Sequence, residues 1–322
     1  MRPPRRGVGH RKNIGAAILL AAGQYLALAV ALVIAGSAAA QAEKRLAVVA
    51  TTADLKSLAE AVGGDRVAAI SLVPAGFDAE EYQPRPQDLA RVKQAQAVVR
   101  VGLDFDLWFD RLLMQADIPR GAPGYIDASY GITALEVRGQ SVGPGDGHAH
   151  GNGNPHYWLD PRNAEIVTAM ILEALARIDP GNAAIYEANR AAFLARLARK
   201  LDDWQAQLAM LNGVPLVAYH NSWPYFARRF RLDFIGTVEP KPGVPPSPAH
   251  LAALIRTMSD RGARVIVREP HDPEKDIAFV AKRTGGTIAV LAASVGALPG
   301  ADDYLSLFDV NVAALVAAAG VR

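Results

Sequence analysis

Short β-rich apolar runs alternate with amphipathic helical stretches along this chain, and the alternation occurs twice. Residues 46–50, 67–73 and 97–101 read as buried strands, with helices expected over 54–62, 86–94 and around Trp108. The pattern restarts with strand-like runs at 216–219, 233–236, 264–267 and 287–291, again separated by helical spacing. Strands that alternate with helices are joined by crossovers, so the expected architecture is α/β, two lobes of parallel sheet flanked by helices. Between the two series lie two long helical patterns. One covers residues 163–178 and stops at Asp179-Pro180-Gly181; the other covers 182–211 with no internal Gly or Pro. A helix of about thirty residues is about 45 Å long, more than an average globular helix, so it is expected to join the lobes. An ordinary long surface helix has the same periodicity. The expected division is a leader at 1–42, an N-terminal metal-binding lobe at 43–179, a linking helix at 180–212 and a C-terminal metal-binding lobe at 213–322.

The leader assignment comes from Arg2, Arg5, Arg6, Arg11 and Lys12, an apolar stretch over 14–35, and small residues ending Ala40-Gln41-Ala42. That order is the one a cleavable secretory signal peptide needs, although the apolar stretch is nearly long enough to serve as a membrane anchor. Residues 1–42 carry five of the 34 Lys and Arg and none of the 32 Asp and Glu, leaving the remainder with a net charge of about −3. The basic character therefore belongs to the leader, and a nucleic-acid partner loses its compositional support. Cysteine is absent, which excludes disulfides, thiolate metal ligands and a cysteine nucleophile. A lipoprotein anchor also needs a cysteine, so the expected product is a soluble, unanchored periplasmic protein, and a monomer.

Histidine is scarce, with seven in the chain, and its placement is informative. His156 lies in Asn154-Pro155-His156-Tyr157-Trp158-Leu159-Asp160-Pro161, an extended, aromatic segment just ahead of the helix expected from Asn163. His220 ends the β-rich run Val217-Ala218-Tyr219, and ligands in open α/β sheets bind beyond the carboxyl ends of strands. The loop Gly76-Phe77-Asp78-Ala79-Glu80-Glu81-Tyr82-Gln83-Pro84-Arg85-Pro86 follows another strand and gathers carboxylates whose mutual repulsion a cation would relieve. Neutral imidazole suits zinc and its neighbours. Read singly, the histidine segments are also consistent with structural histidines, and the acidic segment with a solvated loop, although the place of His220 after a strand favours a ligand.

Taken in chain order, the three segments resemble the zinc- and manganese-binding solute receptors of ABC importers. The resemblance covers nearly all of residues 45–320, including Asp303-Tyr304-Leu305 and Asn311. It implies two α/β lobes bridged by a long helix, a divalent metal held between them, and an inner-membrane ABC permease as partner. Carried over position by position, the first ligand falls on Glu80 in place of the family's histidine, the second on His156 and the third on His220. Carboxylate is an accepted zinc ligand, but a harder donor brings manganese or iron(II) within range. The family's fourth position, an Asp after the last strand, has no carboxylate counterpart in Leu291-Ala292-Ala293-Ser294-Val295-Gly296. Water or another side chain must serve, with His271 the first protein candidate and Glu269 and Glu239 behind it. His148 and His150, in a glycine-rich segment, resemble a shortened metal-collecting loop, although such a loop can hold histidine incidentally. His250 reads as a helix-start residue.

The expected function is capture of a divalent transition metal, zinc first, for delivery to the permease. A periplasmic metallochaperone would use the same ligands. A zinc-dependent hydrolase would also need an activated water, and the chain has neither an H-E-x-x-H helix nor a second cluster for substrate.

Overall fold

The run Leu-Ala-Val-Val-Ala forms strand β1 (Leu46–Ala50), flanked by β2 (Val67–Ser71) and β3 (Ala97–Arg100), with β4 (Tyr125–Asp127) at the edge. All pairings are parallel and the order is β2-β1-β3-β4. The central strand β3 is buried at every residue, whereas edge strand β2 alternates between covered and exposed positions. The second sheet repeats the plan with β5 (Pro215–Ala218), β6 (Asp233–Thr237), β7 (Val265–Arg268) and β8 (Thr287–Val290) in the order β6-β5-β7-β8, also parallel. In each sheet the chain leaves the first strand to one side and returns on the other, which opens a crevice at the strand's carboxyl end.

Met1 and residues 45–136, 152–241 and 243–320 are described by this computed structural model. The rest of the expected leader and the segment with His148 and His150 lie outside the described residues. Among the described residues no helix is long and apolar enough to cross a membrane.

The helices are α1 (Ala53–Gly63), α2 (Pro86–Gln94), α3 (Leu107–Gln115), α4 (Asn163–Ile178), α5 (Ala183–Leu208), α6 (Pro224–Phe230), α7 (Pro248–Arg261), α8 (Glu274–Thr284) and α9 (Tyr304–Ala318). Strand β4 is the element not expected from the sequence. It is three residues long, too short for a periodic signal, and its entrance depends on Gly124, where a Cβ would meet the Gln96 carbonyl oxygen at 2.1 Å.

The long helix is 26 residues, ending earlier than expected because Ala209–Leu211 tighten into a 3-10 turn. Its first half touches the N-terminal sheet's helices: Asn189 Nδ2 donates to the Val62 carbonyl (3.0 Å) and Arg190 Nε to Thr168 Oγ1 (3.1 Å). Its second half meets α9, where Lys200 Nζ and Trp204 Nε1 both reach the Asp309 carboxylate (2.7 and 2.8 Å). Buried side chains from both sheets, such as Val48 and Leu216, and from the helices that cover them, such as Leu58, Trp204 and Phe308, form one contiguous apolar cluster. A shared core of this kind restricts motion of the lobes to small displacements.

Polar contacts add to this join. Trp158 Nε1 donates to the Ala293 carbonyl (2.8 Å), Tyr304 Oη to the Trp158 carbonyl (2.6 Å), and Arg229 forks onto the buried Asp160 carboxylate (2.7 and 2.9 Å). Asp54, at the start of α1, accepts from Ser294 Oγ (2.7 Å) and the Val295 amide (3.0 Å) across the join. Burial raises the Asp54 carboxyl from 3.8 to about 6, against the lowering effect of those hydrogen bonds. A carboxyl raised in the folded state contributes stability that is full below its unfolded value and is lost as pH rises through 6. Asp54→Asn keeps an acceptor for Val295 and removes the ionisation. Its stability relative to the parent is therefore expected to rise between pH 4 and pH 7, by at most about 3 kcal/mol. Urea unfolding at the two pH values measures this, and a pH-independent difference would contradict it.

Candidate metal centre

Three loops converge at the carboxyl ends of the sheets. Glu80 sits in the loop between β2 and α2, where an Asx turn from Asp78 Oδ1 accepts the Glu80 amide (2.8 Å). The loop is closed from behind by Tyr82, whose hydroxyl donates to Asp88 (2.7 Å), the same carboxylate that caps α2 through the Arg85 amide (2.7 Å). His156 precedes a 3-10 turn, Tyr157–Leu159, that is anchored by the Tyr157 hydroxyl donating to the Val101 carbonyl (2.8 Å). Its ring lies between Phe105 and Trp158, with centroids 5.7 and 5.2 Å away. His220 follows β5, at the crevice of the second sheet.

The donor atoms of these three residues all lie within 4.8 Å of one another, and no other such group occurs among the described residues. His156 Nε2 is 3.2 Å from Glu80 Oε1, and His220 Nε2 is 3.7 Å from the same oxygen. Their side chains are 8%, 18% and 5% exposed for His156, His220 and Glu80, so an ion among them would be largely withdrawn from solvent. Neighbouring donors around a tetrahedral ion with bonds of 2.0–2.2 Å are about 3.4 Å apart, close to the separations seen here. Two imidazoles and one carboxylate from three separate segments therefore fit a divalent transition metal.

Each imidazole has its second nitrogen engaged. His156 Nδ1 meets Asn154 Oδ1 at 3.1 Å, and the same oxygen accepts the His156 amide at 3.0 Å. Asn154 in turn donates to the Asn221 carbonyl (2.8 Å), which joins the two histidine segments. His220 Nδ1 donates to Glu239 Oε2 at 2.6 Å. Burial would lower the His220 imidazole, but the bonds to Glu239 and Glu80 and the charges of Glu80 and Glu269 outweigh it and push it up to about 11. The proton on His220 thus offsets surrounding carboxylates, a place a divalent cation would take over.

The group lines a cavity of about 450 Å³, together with Phe105, Trp158, Tyr219, Ser222 and Glu269. Glu269 is buried, accepts from Ser222 Oγ (2.5 Å), and has its carboxyl raised by burial first and by Asp272 second. His271, the expected fourth donor, lines the same cavity but stands outside the three-residue group. Its Nε2 is 3.6 Å from Glu269 and 3.9 Å from Asp272. His250 begins α7 as expected, donating through Nε2 to the Thr237 carbonyl (2.9 Å). Asn154 is one residue of a longer motif and Glu239 lies 19 positions from His220, so the part each plays beside a histidine carries no local signal. The string Gly139-Gln140-Ser141-Val142-Gly143 matches a nucleophile-elbow pattern, and it lies outside the described residues.

The family model for the periplasmic zinc-uptake complex component A, ZnuA, matches residues 48–318. A crystal structure of ZnuA superposes with a TM-score of 0.74 at 29% identity, covering 85% of this chain and 99% of that one. The iron-binding protein YfeA of Yersinia pestis is 27% identical, over 84% of this chain and 85% of its own. The manganese ABC transporter substrate-binding lipoprotein PsaA of Streptococcus pneumoniae is 26% identical, over 77% of this chain and 79% of its own. PsaA's description as a lipoprotein gives no support to the unanchored form expected from the sequence.

Proposed function

The chain belongs to the ZnuA family of periplasmic zinc-uptake components, and from that premise we propose that it captures zinc in the periplasm and delivers it to an inner-membrane ABC permease. The observation that carries this reading is the convergence of Glu80, His156 and His220, with donor atoms within 4.8 Å of one another. Glu80 and His156 come from the side of the first sheet and His220 from the second. An ion bound by all three would therefore bias the relative position of the lobes, a change a permease can sense. The fourth position is assigned to water drawn from the cavity, because His271 stands outside the three-residue group, with Nε2 3.6 Å from Glu269 and 3.9 Å from Asp272.

Zinc is favoured over manganese by the two imidazoles and by the general order of divalent affinities. The Glu80 carboxylate narrows that preference without reversing it. A competitive titration of metal-free protein with zinc and manganese is expected to show zinc displacing manganese at equal concentration. Manganese holding the site against zinc would overturn the metal assignment and leave the receptor reading standing. Turnover of ester, phosphate or peptide substrates by the zinc-loaded protein would overturn the receptor reading itself.

A further inference from the structure

Glu239 has no part in the function proposed above, yet its carboxylate is the best-placed group in contact with a ligand. We infer that Glu239 is a positioning residue for metal capture: it holds His220 with Nε2 turned toward Glu80 and His156, and is itself held by Gly243. The inference rests on the reading of His220 as a ligand.

The geometry follows from the sheet. Strands β5 and β6 pair in parallel, and the pairing continues past their ends as the Glu239 amide donates to the Tyr219 carbonyl (3.0 Å). That register places Glu239 beside His220, so a carboxylate one strand away meets the imidazole at 2.6 Å. The other carboxylate oxygen, Oε1, accepts the Gly243 amide at 2.7 Å. Gly243 has φ +73°, a left-handed conformation that favours glycine, and the turn around it is closed by the bridge between Lys241 and Val244. Thr237 Oγ1 donates to the Glu239 carbonyl (2.6 Å), and His250 Nε2 to the Thr237 carbonyl (2.9 Å), so the backbone beneath the carboxylate is fixed as well.

A carboxylate on Nδ1 does two things for an imidazole that binds metal through Nε2. It keeps the hydrogen on Nδ1, leaving the Nε2 lone pair for the ion, and it raises the donor strength of that nitrogen. At His156 the neutral amide oxygen of Asn154 meets Nδ1 (3.1 Å). The two histidines are thus unequal, with His220 the stronger donor and the more dependent on its support. Glu239 is not a ligand in this account. Both its oxygens are already engaged, and it stands outside the group whose donor atoms lie within 4.8 Å of one another.

The test compares the full chain with its Glu239→Ala and Glu239→Gln variants, using zinc affinity by chelator competition and the visible absorption of the cobalt(II)-loaded protein. Glu239→Ala is expected to lower zinc affinity about 10- to 100-fold, with the cobalt bands unchanged in position and intensity at saturation. Glu239→Gln should recover part of the loss, since its amide oxygen still accepts from His220 Nδ1. Zinc affinity in Glu239→Ala within twofold of the parent would overturn the inference. So would altered cobalt bands, which would make Glu239 a ligand. An equal loss in both variants, accompanied by a lowered Tm of the metal-free protein, would overturn it too by assigning Glu239 to the fold alone. His220→Ala separates the two levels: affinity retained there removes the site reading and this inference together, whereas affinity lost there but kept in Glu239→Ala removes only this inference.

Discussion

Replacing either His156 or His220 with alanine is expected to lower zinc affinity by about 10²- to 10³-fold while leaving the fold in place. A four-ligand zinc site binds with roughly 10–16 kcal/mol, so each ligand carries about 2.5–4 kcal/mol, and 1.4 kcal/mol is a factor of ten. The loss falls on binding because neither ring is a keystone of the core. His220 is 18% exposed, at the edge of the cavity, and His156 packs edge-on to Phe105 beside a cavity that can admit water. Chelator competition measures the affinity, and urea unfolding of the metal-free variants measures the fold. Affinity within threefold of the parent in either variant would remove that residue from the site.

Asp106→Ala is expected to have the largest effect on stability, a loss of about 3–5 kcal/mol. The Asp106 side chain is fully buried and accepts from Arg100 Nε (3.1 Å) and Nη2 (2.9 Å) and from the amides of Val101 (2.7 Å) and Gly102 (3.1 Å). Removing it strands these donors beside a guanidinium that is only 4% exposed, with Asp110 as its remaining carboxylate. The same network holds a turn in which Leu103 and Asp104 take positive φ (49° and 66°), and that turn carries Phe105 against His156. Zinc affinity should therefore fall as well, although by less than on loss of a ligand. A cost below about 1 kcal/mol in urea unfolding would show that the turn is held by other contacts.

The fold was legible where the chain marks its own boundaries. Pro86 opens α2 and Asp179-Pro180-Gly181 closes α4, and both helices end at the residues expected from these signals. Strand β4 escaped because three residues between turns carry no period, and the end of the long helix escaped because its 3-10 turn continues the helical spacing. At the site, His220 could be placed from its position after a strand. Glu80, in contrast, is one carboxylate among several in its loop, and only the resemblance singled it out. The support of the histidines is long-range. Glu239 reaches His220 across 19 positions and Asn154 reaches Asn221 across 67, through strand register and loop packing that no local pattern encodes. The facing of His271 toward Glu269 is likewise a property of the folded loop.

In the proposed function one ion is held jointly by donors from the two lobes. The most direct test is a crystal structure of the zinc-loaded protein with anomalous data at the zinc edge. A single peak is expected about 2.0–2.2 Å from a Glu80 carboxylate oxygen, His156 Nε2 and His220 Nε2. A zinc peak bonded to only one of these residues, or lying elsewhere in the molecule with the three side chains unengaged, would contradict the account.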